Sequence, residues 1–492
     1  MFGNDLYDHG LHLFLDDEEV QDHPGFTRKV QHPQRLQDPV LEPDRPWEGR
    51  SVQLWGSVLH DDEEDIFKMW YLSHNDELQR HTGHGAMCYA TSKDGVSWDK
   101  PDLGVVSFDG STANNIVYPP PGEAHDIDPW GVIKDPLEQD ESRRYKLAGY
   151  RQLPAPPDVP DETPDMDREA RNAHRKILLD RIRDRHGMCA AYSPDGIHWT
   201  VDDTVLVPRA GDAGSLVYDP MARRYLATSR RYETVMDHFV IEWKRYRRVI
   251  ALSTSADFVN WSPIKPILKP DDFDHLEDQM YVMPPFVYGN QYIGFIGMLH
   301  TVTELGPVQL ATARDIDHWS RVGRREEFLP VGPPGSWDGA WTSLSSNPPV
   351  LKDDTLQMWY SGCPQAHGTE GSGEKYIGMA TLRKDGFVAM RCGIRGGDLM
   401  TEPVEVTGPR LSVNAICLFG RLQIRVIDDV SVPEGYDFAD CNALERGDDT
   451  DCPITWGDEH KDLSPFVGKK IRLHIQADNA TSFFSYRFSG AP

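Results

Sequence analysis

The chain contains no apolar run approaching the roughly 18 residues that cross a bilayer, so neither a spanning helix nor a membrane partner is expected. Positive charge is scarce: 51 Lys and Arg stand against 78 Asp and Glu, a formal net charge of −27. Such a chain repels phosphate backbones and anionic lipid, which argues against nucleic acid as a ligand. Cysteine is sparse, seven in 492 residues. No C-x-x-C pair suggests zinc or redox chemistry. A Cys441–Cys452 bridge would need an oxidising compartment, and free thiols are the expectation. The opening MFGNDLYDHGLHLFLDD has neither a basic start nor a long apolar stretch, so no secretory signal is read and the cytoplasm is the expected location. Histidines in the loops (His74, His81, His84, His300, His367) lack a ligand spacing, so no metal and no cofactor are expected.

What is present is apolar residue and repetition. Hydrophobic residues make up 39% and the chain carries 13 Trp, enough for large cores. One phrase recurs: a small apolar strand, an Asp turn, then Trp. It reads YATSKDGVSW (89–98), AAYSPDGIHW (190–199), LSTSADFVNW (252–261) and LATARDIDHW (310–319), with a weaker copy lacking Trp at 379–389. Before each copy lies a strand, a polar turn and an aromatic-rich strand, as in SVLHDDEEDIFKMWYLS (57–73) and PPVLKDDTLQMWYSG (348–362). Short apolar runs between Asp, Gly, Asn and Pro turns are strand chemistry. Two hairpins per unit make four strands, and five such units make a five-bladed β-propeller. From about residue 397 the phrase disappears and alternating strands remain, which reads as a β-sandwich. The expected organisation is all-β: a segment 1–45 packed on the propeller, the propeller at 46–396, and the sandwich at 397–492.

Strand parity sorts the loops. The Asp-turn-Trp phrases and the Asp-Pro turns at Asp135 and Asp219 fall on one face, where an Asp fixes its own turn. The other face receives the long insertions, including a Pro- and Asp-rich stretch with a predicted helix at 151–186. Concentrated long loops mark a binding face. The helix reads equally as part of that face or as a contact for a homo-oligomer.

The residues just before each inner strand face the same funnel. They supply Glu48, Asp126, Asp128, Asp212, Glu277, Asp278 and Asp338, beside Trp47, Trp55, Trp130, Tyr281 and Trp341. His74, His300 and Arg230 lie at the second-strand ends, and Arg230 can clamp an acidic group or pair with a funnel acid. Converging carboxylates beside aromatic rings suit glycosidic bond cleavage, which needs one protonated acid and one ionised carboxylate. Each acid also has a bland reading as a turn cap or ion-pair partner.

The blade phrases, acidic inner-strand starts and terminal sandwich (GRLQIRVIDD, VGKKIRLHIQ, SFFSYRFSG) resemble the five-bladed propeller glycosidases, glycoside hydrolase families 32, 68 and 43. The chain is most similar to a divergent bacterial family-32-like branch that opens with LFLDD and Pro-Trp-Glu, here Leu13–Asp17 and Pro46–Glu48. The resemblance implies a nucleophile or base at Glu48, a stabiliser at Asp126 or Asp128, and a third acid at Asp212, with Glu277 or Asp278 as alternatives for the last role. It implies cleavage of small glycosides, furanosides such as fructosides or arabinosides. The chain lacks the Asn-Asp-Pro-Asn, Arg-Asp-Pro and Glu-Cys motifs of those families. Two other classes stay open: a non-catalytic glycan-binding propeller and a propeller lyase.

Overall fold

The structure is a computed structural model that describes residues 6–75, 85–119, 127–152, 185–234, 246–368 and 373–490. Five antiparallel sheets form the larger body. Blade one runs Val52–Asp61, Ile66–Ser73, Ala86–Ser92 and Ile116–Tyr118. Blade two runs Asp128–Lys134, Tyr145–Gln152, His186–Ser193 and Thr200–Pro208. Blade three runs Gly214–Asp219, Arg224–Thr234, Tyr246–Ser255 and Lys265–Leu268. Blades four and five split their inner strand, as Asp278–Val282 with Pro285–Tyr288, and Trp341–Leu344 with Val350–Lys352. The inner strands of blades one to four touch in order, the inner strand of blade five meets the second and third strands of blade four, and the second and third strands of blade five pack on the inner strand of blade one. A cavity of about 980 Å³ at the turn end is lined by Val58, Ile133, Val217, Val287 and Val350, one from each inner strand, so all five blades share one axis.

The second strands are apolar on both faces because each blade is covered on both sides; Ile66–Ser73 is buried at all but its first residue. The Asp turns are built as their chemistry requires. Asp94 Oδ1 accepts the amides of Val96 and Ser97 (both 2.8 Å), which hold its carboxyl down at about 2. Asp195 and Asp257 repeat the pattern. The Trp that follows donates to a carbonyl of the same turn, as Trp98 does to Gly95 (3.1 Å) and Trp199 to Gly196 (3.1 Å). The same carbonyls also accept from a neighbouring blade: Trp359 Nε1 to Gly95 (2.8 Å) and Trp70 Nε1 to Gly196 (2.7 Å).

A second set of staples uses the inner turns. Tyr145 Oη donates to Asp61, Tyr225 Oη to Asp135 and Tyr292 Oη to Asp219, each reaching back one blade. Lys68, Lys146 and Arg224 neutralise the same three buried acids. Asp135 and Asp219 are therefore structural, as their Asp-Pro turns imply.

The N-terminal segment does more than pack on the propeller. Gln34–Arg35 is the outermost strand of blade five, paired with Tyr376–Arg383. Leu11–Leu13 and Phe26–Val30 join one sheet of the sandwich, and Val20–Asp22 joins the other. The expected boundary at 396/397 also moves, because Val388–Cys392 already pairs with Phe26–Val30 and with Ser482–Ser489. The physical reason lies in the weak fifth phrase: after Arg383 the chain leaves blade five, and residues 34–35 supply the missing strand. The two sandwich sheets close over Phe14, Leu399, Val413, Ile424, Trp456, Leu473 and Phe483. All seven cysteines are free. Among the described residues no helix is long and apolar enough to cross a membrane, and no His/Cys/Asp/Glu group is placed to hold a metal.

Candidate active site

The long-loop end of the axis gathers residues from every blade. Tyr281, at the start of blade four, is the hub. Trp55 of blade one lies 6.2 Å from its ring, and Trp341 and His367 of blade five lie 5.1 and 5.5 Å away. The guanidiniums of Arg230 and Arg248, both from blade three, sit 4.5 and 5.1 Å from the same ring centroid. Arg230 pairs opposite Ile250 and Arg248 opposite Tyr232, so strand alternation puts both arginines on the face turned to blade four.

Among the described residues, two of the expected carboxylates face this funnel. Asp212, about half exposed, accepts Nε of Arg230 at 2.7 Å and Nη2 alongside it. Asp128 begins the inner strand of blade two and is partly open. Tyr150, at the end of that blade's second strand, links them: burial pushes its hydroxyl up, and the charges of Asp212 and Asp128 push further. Lys375 closes the circuit. Its Nζ donates to Gln53 Oε1 (2.9 Å), which His74 Nε2 also meets (3.2 Å). Burial pulls the Lys375 ammonium below the usual lysine range, against the pull of nearby Asp128.

Several expected site residues serve the scaffold instead. Glu48 is fully buried. Its carboxylate accepts the amides of Asp44 (2.9 Å) and Arg45 (3.0 Å), the hydroxyl of Tyr71 (2.6 Å) and Nζ of Lys100 (2.8 Å). Pro46–Glu48 is a 3-10 turn that folds the acid back into blade one, away from the funnel. Trp47 donates to Asn115 Oδ1 (2.7 Å) and packs on Phe108 in the same blade. Trp130 is buried between blades two and three, and its Nε1 supports the Asp212 carbonyl (3.3 Å). Asp338 is buried under Arg35 (3.0 Å) and Tyr360 (2.9 Å), where it holds the closing strand.

In blade four Asp278 is buried and bound to His300 Nδ1 at 2.5 Å. Burial opposes its ionisation, yet His300 and the His275 amide hold it below the carboxylate range. The hydrogen bond to Asp278 in turn raises His300, whose ring is a quarter exposed. Glu277 lies at the rim of the same blade, where its carbonyl accepts the Thr301 amide (3.1 Å). Asp126 lies outside the described residues, as does most of the 151–186 insertion.

The site thus unites Asp128, Asp212, Trp55, Tyr281, Trp341, Arg230 and His74 of the expected set. It adds Tyr150, Arg248 and Lys375, and it draws in His367 from the loops. The missed residues had a signal: second-strand ends and third-strand starts open on the same face as the inner-strand starts, and Tyr150, Arg248 and Lys375 occupy those positions. The structure therefore defines a five-bladed propeller with an aromatic, charged funnel at its long-loop end.

No family model matches the sequence, and no curated protein matches it. Among solved structures the chain is similar to a Bombyx mori family 32 β-fructofuranosidase, at 10% identity and a TM-score of 0.40 over 97% of this chain and 96% of that one. It is similar to a Podospora anserina α-L-arabinofuranosidase, at 11% and 0.43 over 72% and 98%. It is also similar to an N-acetylgalactosamine deacetylase from F. plautii, at 14% and 0.40 over 78% and 94%. Likeness at this level assigns no reaction, and the chemistry rests on the residues themselves.

Proposed function

We propose that the chain is a glycosidase acting on small glycosides, with Asp212 and Asp128 as its working carboxylates. The observation that carries this is that they come from adjacent blades and both lie close enough to Tyr150 for their charges to act on it, beside the Trp55, Tyr281 and Trp341 rings. Glycosidic cleavage asks for two carboxyl groups flanking the scissile bond. Asp212 takes the role of nucleophile or water-activating base, because Arg230 fixes its carboxylate by two hydrogen bonds while it stays half exposed to the funnel. Asp128 takes the proton-donor role. Trp55, partly exposed, offers a flat apolar face to the C–H side of a sugar ring. Furanosides, fructosides and arabinosides among them, are the first substrates to test.

The test is a screen of nitrophenyl furanosides, nitrophenyl pyranosides and fructo-oligosaccharides. Asp212→Asn and Asp128→Asn are expected to lose roughly a hundredfold or more of turnover while still binding sugar, the range for a lost acid or base. Glu48→Gln is the counterpart: it leaves Lys100 buried without its full partner, so it lowers the melting temperature and spares the turnover of the folded fraction. A chain in which Asp212→Asn changes neither binding nor turnover is not this enzyme.

One observation favours a second reading. Glu48 and Asp338 are sealed in ion pairs, so two of the expected acids are withdrawn from the funnel. A glycan-binding propeller needs the aromatic wall and no free acid. Sugar binding by the unaltered chain with no cleavage of any glycoside in the screen selects it.

A further inference from the structure

Arg230 presents a buried donor with nothing to bind. Its side chain is 8% exposed, its Nε and Nη2 go to Asp212, and Nη1 has no hydrogen-bond partner among the described residues. An unsatisfied buried donor costs about 1–3 kcal/mol, and a charged one more. Such a group calls for a partner, and a ligand or ion in the funnel is one that would complete it.

A second cation faces the same spot. Arg248 is partly exposed, has no ion pair among the described residues, and makes only a long Nε contact to Tyr232 Oη (3.4 Å). Both guanidiniums lie over the Tyr281 ring, and among the described residues Asp212 is the only carboxylate hydrogen-bonded to either of them. Burial first, then the charges of Arg248 and Arg230, hold the His367 imidazole below the usual histidine range against the opposite pull of Glu304. This local excess of positive charge stands in a chain of net charge −27.

We propose that Arg230 Nη1 and Arg248 form a seat for an oxyanion, the carboxylate of a sugar acid, in the funnel beside Tyr281. The inference builds on the reading of the funnel as a sugar site and narrows its substrate to acidic glycosides, uronides above all. Guanidinium groups bind carboxylate or phosphate through paired N–H donors, and the neighbouring rings hold the sugar that carries the acid. Trp55 and Trp341 flank the hub on the blade-one and blade-five sides, which leaves the blade-three side to the acid group.

The experiment is calorimetric titration of the whole protein with D-glucuronate, D-glucose and inorganic phosphate, each run on the unaltered chain, Arg248→Gln and Arg231→Gln. Arg231 points the other way along the same strand, with Nη1 toward the Ile264 carbonyl, and is the control for surface charge. Glucuronate is expected to bind at least about tenfold more tightly than glucose, the equivalent of about 1.4 kcal/mol. Arg248→Gln should abolish that preference; Arg231→Gln should keep it. Phosphate binding that also depends on Arg248, without a preference for glucuronate, would keep the oxyanion seat but assign it to free phosphate and overturn the sugar acid. Equal binding of glucuronate and glucose with no phosphate binding overturns the seat itself. Because the readout is binding, it is independent of cleavage. Glycoside turnover without anion preference removes only this inference, and anion binding without turnover of any glycoside removes only the glycosidase.

Discussion

At the scale of single residues, the same chemical type serves opposite ends according to where its side chain turns. Glu48 and Asp212 both precede an inner strand. A 3-10 turn folds Glu48 into blade one onto Lys100, whereas Asp212 stays half exposed in the funnel. Position before an inner strand fixes the face of the propeller, but the direction of the side chain depends on the turn and on a lysine 52 positions away. The Asp278–His300 pair carries a testable pH signature. Asp278 is lowered, so its contribution is present above the unfolded carboxylate value and fades as pH falls through its folded value. His300 is raised, so its contribution is complete below the unfolded histidine value and fades as pH rises through its folded value. The pair therefore stabilises most in the mildly acidic window between these limits. Thermal melts across pH should show Asp278→Asn losing most in that window and least above it, where His300 is neutral; a loss independent of pH would contradict the pairing.

Among elements, the repeated Asp-turn-Trp phrase was legible because its causes are local: the Asp bonds its own turn and the Trp bonds the same loop. Its glycine has a long-range cause that the phrase does not display. Gly196 has φ +81, and a β-carbon there would lie 2.5 Å from the Trp70 ring of the preceding blade. Gly104 has φ +74 with open space around it. Gly104→Ala should cost about 1 kcal/mol, the penalty of the left-handed backbone alone. Gly196→Ala should cost that plus the displaced Trp70 and its hydrogen bond, several kcal/mol in all. Urea unfolding of the two variants separates backbone from packing, and equal losses would deny the Trp70 staple. In blade three Phe258 takes the corresponding place at φ 63, fully buried against Tyr225 and Trp261. The funnel was less legible than the turns. Tyr150, Arg248 and Lys375 come from strand ends with no shared motif, and only the topology brings them together.

In the molecule as a whole, a two-residue strand and a buried ion pair complete blade five, beside the Trp359–Gly95 hydrogen bond that ties it to blade one. Arg35 donates to Asp338 and to the Pro330 carbonyl, and Tyr360 adds a second donor to Asp338. Arg35→Ala strands a buried carboxylate, which costs about 3–5 kcal/mol. It is expected to lower the urea midpoint sharply, whereas Asp338→Asn combined with Arg35→Ala should recover part of the loss because the buried charge is gone. Failure of the double variant to recover any stability would show that the strand itself, not the ion pair, completes the blade. The five-blade count and the terminal sandwich followed from repeats and alternation. The dual use of the first forty residues did not, since strands of two or three residues leave almost no pattern.

That dual use has a practical consequence. Residues 11–30 thread the sandwich and residues 34–35 lock the propeller, so no one cut in the backbone frees the sandwich intact. A fragment spanning 46–396 would lack its latch, and one spanning 397–492 would lack four of its strands. Grafting the sandwich onto another partner therefore demands that residues 11–30 travel with residues 388–490.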